Sequence, residues 1–137
     1  EGHRVAALAT VGLGNAERVG HRQHRSPEAE GYGTINVAVQ LATGLSEAAQ
    51  IEALTIATQA RTAAVIEAGL RFRQGAVTGT GTDCIAIAAP EGREAYAGLH
   101  TALGEALGAA VFRAVAEGAA DWVAENPAMM RAVFGAR

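Results

Sequence analysis

The sequence predicts an α+β (or α/β) fold: a single domain, residues 1–137, in which a mixed sheet is covered by two long helices. Three observations carry this. The segment TINVAVQLAT (34–43) alternates apolar and polar residues with the period of a half-buried strand. Two stretches, Ser46 to Gly69 and Thr101 to Pro127, hold apolar residues at helical spacing between start and stop signals. Strand and helix patterns mix along 137 residues without an internal repeat, a length that suits one domain with a core of its own.

Taken in order, VAALATVGL (Val5–Leu13) is short, apolar and β-leaning, and reads as a buried strand; GNAERVG then turns the chain. HRQHRSPEAEGYG (His21–Gly33) is polar and punctuated by Gly and Pro, and reads as a mobile loop. In the alternating strand, Ile35, Val37, Val39 and Leu41 share one face, and Thr34, Asn36, Ala38 and Gln40 the other. Ser46 is placed as a helix N-cap and Gly69 as its stop, with Ile51, Leu54, Thr58, Thr62 and Val65 expected to face the core. CIAIAA (84–89) reads as a strand buried on both faces, with Cys84 a small core residue and Pro90 closing it. EGREAYAGL is expected to hold a turn and a short strand around Tyr96.

The second long helix opens near Thr101. Leu103, Leu107, Ala110 and Ala114 form one stripe, which Phe112, Val115, Ala119 and Trp122 widen. Gly104 and Gly108 are expected to let this helix lie close on the sheet. Pro127 ends it, and a short helical tail carries Met129, Met130 and Phe134.

Composition narrows the function. A net charge of −3 argues against a nucleic-acid partner, whose phosphates demand a basic face. The single cysteine allows neither an intrachain disulfide nor a cysteine-rich zinc site, and fits a reducing, cytoplasmic setting. Every basic residue is arginine, so no Schiff-base lysine is available. No apolar run reaches the roughly 20 residues that cross a bilayer, and no signal peptide is visible. The chain begins at Glu1, so a processed or truncated piece is one reading.

Chemistry is concentrated in VTGTGTDCIAIAAP (77–90). If extended, the hydroxyls of Thr78, Thr80 and Thr82 line up in steps of about 6.8 Å. Gly79 and Gly81 leave the other face bare for another backbone or a ligand. Asp83, entering an apolar strand, needs a partner or a task; a turn or capping carboxylate is the bland alternative. His100 and Thr101 open the second helix, where free amides and the helix dipole hold anions, with Glu105 one turn in. A simple N-cap beside a surface histidine explains the same residues. Asn15 in GLGNA and Asn36 on the polar strand face are further donors, although turn chemistry also accounts for the first. His21 and His24 lie in an arginine-rich loop and read as solvated; no metal site is expected.

Four blocks carry a resemblance: GLGNAERVG, GTINVAVQLATGLSEAAQIEALTIATQARTAAV, TGTGTDCIAIAAP and YAGLHTALGEALGAAVFRAV. In this order, and over most of residues 5 to 115, the chain resembles the adenosylcobinamide amidohydrolase family, CbiZ. The Thr-Gly-Thr-Gly-Thr-Asp run and the Gly-x-His-Thr-x-x-Gly-Glu block are specific together. The resemblance implies hydrolysis of the amide joining the corrin side chain to aminopropanol. The products would be adenosylcobyric acid and 1-aminopropan-2-ol, in cobinamide salvage for coenzyme B12 synthesis. The partner implied is a small-molecule corrinoid, with the cobalt belonging to the substrate and no cofactor required. Departures are Gln59 and Arg61, where the family usually shows Glu and Lys, and Cys84, where a small residue is usual. Family members also carry a longer N-terminal part with a Ser-Ser-Ala-type segment, so three expectations stand: a piece is missing, a second chain supplies it, or this member works without it; a homo-oligomer is a further expectation. A non-catalytic corrinoid-binding module and another small-molecule amidase are the rival readings.

For the amidohydrolase reading, residue chemistry divides the roles. His100 acts as general base or acid, Asp83 orients it, and Thr82 (with Thr80 and Thr78) binds substrate or supplies the nucleophile. Asn15 and the helix start at Thr101 stabilise the oxyanion, while Asn36 and Glu105 bind substrate. This scheme requires the threonine row, the His100–Thr101 helix start and Asn15 to meet in one cleft.

Overall fold

A computed structural model describes residues 2–25 and 32–135. The core of the fold is a three-stranded sheet in the order β1 (Val5–Val11), β3 (Ile35–Leu41), β7 (Cys84–Ala88). The short β2 (Ala16–Glu17) lies in the chain between β1 and β3 and belongs to a separate ribbon. Strand β3 pairs antiparallel with β1 and parallel with β7, so the sheet is mixed. Helix α1 (Glu47–Glu67) makes the crossover from β3 towards β7, as a parallel pair requires. Helix α2 (Ala102–Glu125) lies across β1 and β3 beside α1, and α3 (Pro127–Phe134) follows it. The α+β expectation and the two helices on one sheet are what the structure shows.

Strand β3 follows its sequence pattern residue by residue. Ile35, Val37, Val39 and Leu41 are buried under the helices, while Asn36, Ala38 and Gln40 are exposed. Ser46 caps α1 as expected, its hydroxyl accepting from the Ala49 amide at 3.2 Å, and Gly69 ends it at φ +79°.

Several packing expectations need correction. Strand β1 is an edge strand rather than a buried one: Leu8 is 70% exposed. Strand β7 is covered on one face only, so Cys84 is exposed and not a core residue. The α1 stripe is also rotated from the expected one. Ala49, Ala53, Ile56, Ala57, Ala64 and Val65 are buried, whereas Ile51 is 62% and Leu54 41% exposed. Alanines face the sheet because they let the helix axis approach it closely, which pushes the larger Ile51 and Leu54 outward. Around Tyr96 there is no strand, only isolated bridges from Leu45 to Glu91 and Glu94.

Gly104 and Gly108 do not pack on the sheet. Gly104 sits against the carbonyls of Ala97 and Gly98, and Gly108 faces Ile56 of α1. The close approach of α2 to β1 occurs instead at Gly118, where a Cβ would lie 2.7 Å from Val11 Cγ2. The remaining strands are two-residue ribbons. β4 (Arg71–Phe72) pairs with β5 (Gly75–Ala76), and β2 pairs with β6 (Gly79–Thr80). Phe134 of α3 closes over Phe72, ring centroids 5.7 Å apart. Of the expected loop at 21–33, residues 26–31 lie outside the described residues. In the described part, the Gln23 amide donates to Glu17 Oε2 at 2.9 Å and Arg25 Nη1 to Asn15 Oδ1 at 2.7 Å.

Candidate active site

The threonine-glycine stretch is not one long strand. Only Gly79 and Thr80 pair, opposite Glu17 and Ala16, and the Thr78 and Gly81 amides donate to the Glu17 and Asn15 carbonyls. Thr78 is buried, its hydroxyl accepting from the Val19 amide at 2.7 Å. Asp83 then ties the turn together. Its Oδ1 accepts from the Ile35 amide at 3.1 Å and from the Thr80 hydroxyl; its Oδ2 accepts from the Thr80 amide at 3.1 Å and Arg61 Nη1 at 2.5 Å. Arg61 Nη1 also reaches the Thr78 carbonyl at 3.1 Å. The glycines have local reasons. A Cβ on Gly79 would collide with the Arg61 guanidinium and Asp83, and one on Gly81 would lie 2.9 Å from Asn15 Nδ2.

Beside this turn lies a polar cleft of about 440 Å³, lined by Glu17, Arg18, Thr58, Arg61, Thr62 and the 78–81 backbone among others. Asp83 has a donor on every acceptor direction a carboxylate offers, so it holds structure and has no capacity left as a base. Glu17 differs: among the described residues, beyond the Gln23 amide on Oε2, its Oε1 has only Arg25 Nη2 at 3.8 Å. Arg61 Nε is buried with no hydrogen-bond partner among the described residues, a costly state unless something supplies an acceptor. Arg18 adds a second guanidinium, whose Nη1 donates to the Ala76 carbonyl at 2.8 Å. The cleft therefore offers cationic donors for a developing oxyanion next to a carboxylate with an open acceptor.

The structure brings together part of the expected constellation. Asn15, Thr78, Thr80 and Asp83 meet at one end of the sheet. His100 and Thr101 do not join them. The loop before α2 is fixed to the first turns of α1, where the Ala97 amide donates to Glu52 Oε2 at 2.7 Å. Arg61, which holds Asp83, lies nine residues further along α1, about 14 Å of helix rise. The expected His100–Asp83 pairing is thus corrected: the crossover helix separates the two groups, and His100 is exposed. Thr101 is occupied as the α2 N-cap, accepting from the Gly104 amide at 2.9 Å and donating to the Gly98 carbonyl at 2.8 Å. Glu105 is exposed on that helix. Thr82 is exposed, its carbonyl accepting from the Thr34 hydroxyl, and it does not line the cleft. Asn36 lies on the open sheet face beside Thr10, Nδ2 to Oγ1 3.3 Å.

Sequence reasoning missed Arg18 and Glu17, and met Arg61 only as a departure from the family pattern, without a role in the site. A further signal was that Arg61 is a lone charge among the apolar and threonine residues of that part of the helix pattern. Among the described residues no group of three or more His, Cys, Asp or Glu is placed to hold a metal ion, and no helix is long and apolar enough to cross a membrane.

Comparison with known families adds one finding: the family model described as adenosylcobinamide amidohydrolase (CbiZ) matches residues 1–127. No curated protein and no solved structure matches the chain.

Proposed function

The chain belongs to the adenosylcobinamide amidohydrolase family, and on that premise we propose that it hydrolyses the aminopropanol amide of adenosylcobinamide, with the polar cleft as the reacting site. The family match carries this reading, and the cleft's donor set supports it. In the proposed step a water oxygen bonds to the amide carbon while Glu17 takes its proton. Arg61 and Arg18 donate to the carbonyl oxygen as it gains charge. The C–N bond then breaks, and the Glu17 carboxyl returns the proton to the departing amine. The products are adenosylcobyric acid and 1-aminopropan-2-ol, an outcome that fits cobinamide salvage. The chemistry uses side chains alone, the cobalt remaining in the substrate. Asp83 acts as a positioning residue that fixes Arg61 and the 78–81 turn.

The purified chain is incubated with adenosylcobinamide, and adenosylcobyric acid is followed by mass spectrometry. Glu17→Gln is expected to lower kcat by about 10²-fold or more, the usual scale for a general base. His100→Ala is expected to leave kcat within a few-fold of the parent. Wild-type activity in Glu17→Gln would refute the assignment of the base. A second reading, a corrinoid-binding module without turnover, draws on the saturation of Asp83 and the distance to His100. Tight binding with no product from the parent chain would select it.

A further inference from the structure

A second, apolar groove of about 1050 Å³ runs between α1 and α2 on the side away from the sheet. Ile56, Ala60, Ala63, Phe112 and Ala116 line it, and Gln59, Arg113 and Glu117 stand at its rim. Two observations make it more than a gap between helices. Thr58 and Thr62 line both this groove and the polar cleft, so two short side chains on α1 are the wall between them. The second is Gly108, in the middle of α2. Glycine there costs about 1 kcal/mol relative to alanine, yet a Cβ would meet only Ile56 Cγ2, at an ordinary 3.7 Å. Packing within the chain therefore does not require a glycine at this position. What the missing side chain does is keep the groove floor low.

We propose that this groove seats one face of the corrin macrocycle, while the amide side chain passes over Thr58 and Thr62 into the polar cleft. The assignment rests on the function proposed above. The substrate is a broad, flat ring whose faces are largely apolar and whose edge carries amides. The 440 Å³ cleft is too small for such a ring together with its side chains, whereas the groove is at the upper end of ligand-pocket size. Its chemistry matches in both parts: an apolar floor for the ring face, and Gln59, Arg113 and Glu117 as hydrogen-bonding groups for the edge amides. The division also separates the tasks. The groove supplies affinity that is the same for substrate and product, and the cleft supplies the interactions that change during reaction.

The test uses Gly108→Leu, which fills the groove from a position with room for a Cβ, and Ala109→Glu, which puts a charge on its exposed wall. Dissociation constants are measured by corrinoid absorbance titration for adenosylcobinamide and for adenosylcobyric acid, which lacks the aminopropanol. Circular dichroism checks that both variants remain folded. Both are expected to weaken both ligands by about tenfold or more, and by the same factor for each, because the ring is common to them. Parent-like affinity in the two groove variants, with parent binding intact, overturns the groove assignment and leaves the hydrolase reading standing. A parent chain that binds neither corrinoid overturns both.

Discussion

Replacing Asp83 by alanine tests how much of the site is held by one carboxylate. The ion pair to Arg61 is nearly enclosed, its side chains 14% and 10% exposed, with Nη1–Oδ2 at 2.5 Å. Removing one partner of a buried pair leaves an uncompensated charge and costs about 3–5 kcal/mol. Asp83→Ala also strips acceptors from the Ile35 amide, the Thr80 amide and the Thr80 hydroxyl. Arg61→Met is different in kind. It leaves Asp83 with those same three donors still in place, so the remaining charge is partly satisfied. The expected loss is therefore smaller, about 1.5–3 kcal/mol. Urea unfolding followed by circular dichroism measures both. With a slope of roughly 2 kcal/mol per molar, a loss of about 4 kcal/mol moves the midpoint by about 2 M. The double variant should cost less than the sum of the singles by about 1–3 kcal/mol, as expected for groups in direct contact. Equal losses for the two single variants, or strict additivity, would refute the account of Asp83 as the shared acceptor.

Two glycines about one turn apart on α2, Gly104 and Gly108, should behave oppositely. Gly104→Ala drives a Cβ into the Ala97 and Gly98 carbonyls and is expected to destabilise by about 1–3 kcal/mol or more. Gly108→Ala, whose Cβ makes only an ordinary 3.7 Å contact with Ile56 Cγ2, should instead stabilise by up to about 1 kcal/mol through helix propensity; thermal unfolding separates them, and like signs would contradict the placement of α2. Cys84, exposed on the uncovered sheet face, is expected to react with a maleimide in the native protein at a rate close to that in urea. Strong native-state protection would mean that the face is covered in solution.

How far the sequence was legible depends on side-chain size and on range. Strand β3 was readable because its buried positions are Ile and Val and its exposed ones Asn and Gln, so period and polarity agree. The caps of α1 were readable because Ser46 and Gly69 act locally. The α1 face was misread because alanine carries little hydrophobic signal, and Ile51 and Leu54 outweighed the alanines that are packed. Strand β7 was misread for a similar reason: Ala86 and Ala88 are apolar enough to pass as buried, although they face outward. In the site, the meeting of the 78–83 stretch with Asn15 follows the expectation, whereas the extended threonine row does not: only Gly79 and Thr80 pair, and the chain turns at Gly81 and Thr82. The Arg61–Asp83 pair spans 22 residues and the Asp83–Ile35 bond 48, and no local pattern encodes such distances. Placing His100 with Asp83 failed on topology, since the crossover helix decides which sheet end each loop reaches.

The bonding of Asp83 has a consequence for the time course of opening. One carboxylate receives the amides of Ile35, at the start of β3, and Thr80, at the end of β6, while Arg61 approaches it from α1. Neither amide can reach solvent isotope through that bond unless the carboxylate moves, and the carboxylate is restrained by the other donors. Ile35 and Thr80 should therefore exchange their hydrogens in the same opening event, despite belonging to different ribbons of chain. That event separates strand, turn and helix at once, so the polar cleft has no half-assembled form: a molecule loose enough to exchange these two amides has lost the arginine's position as well.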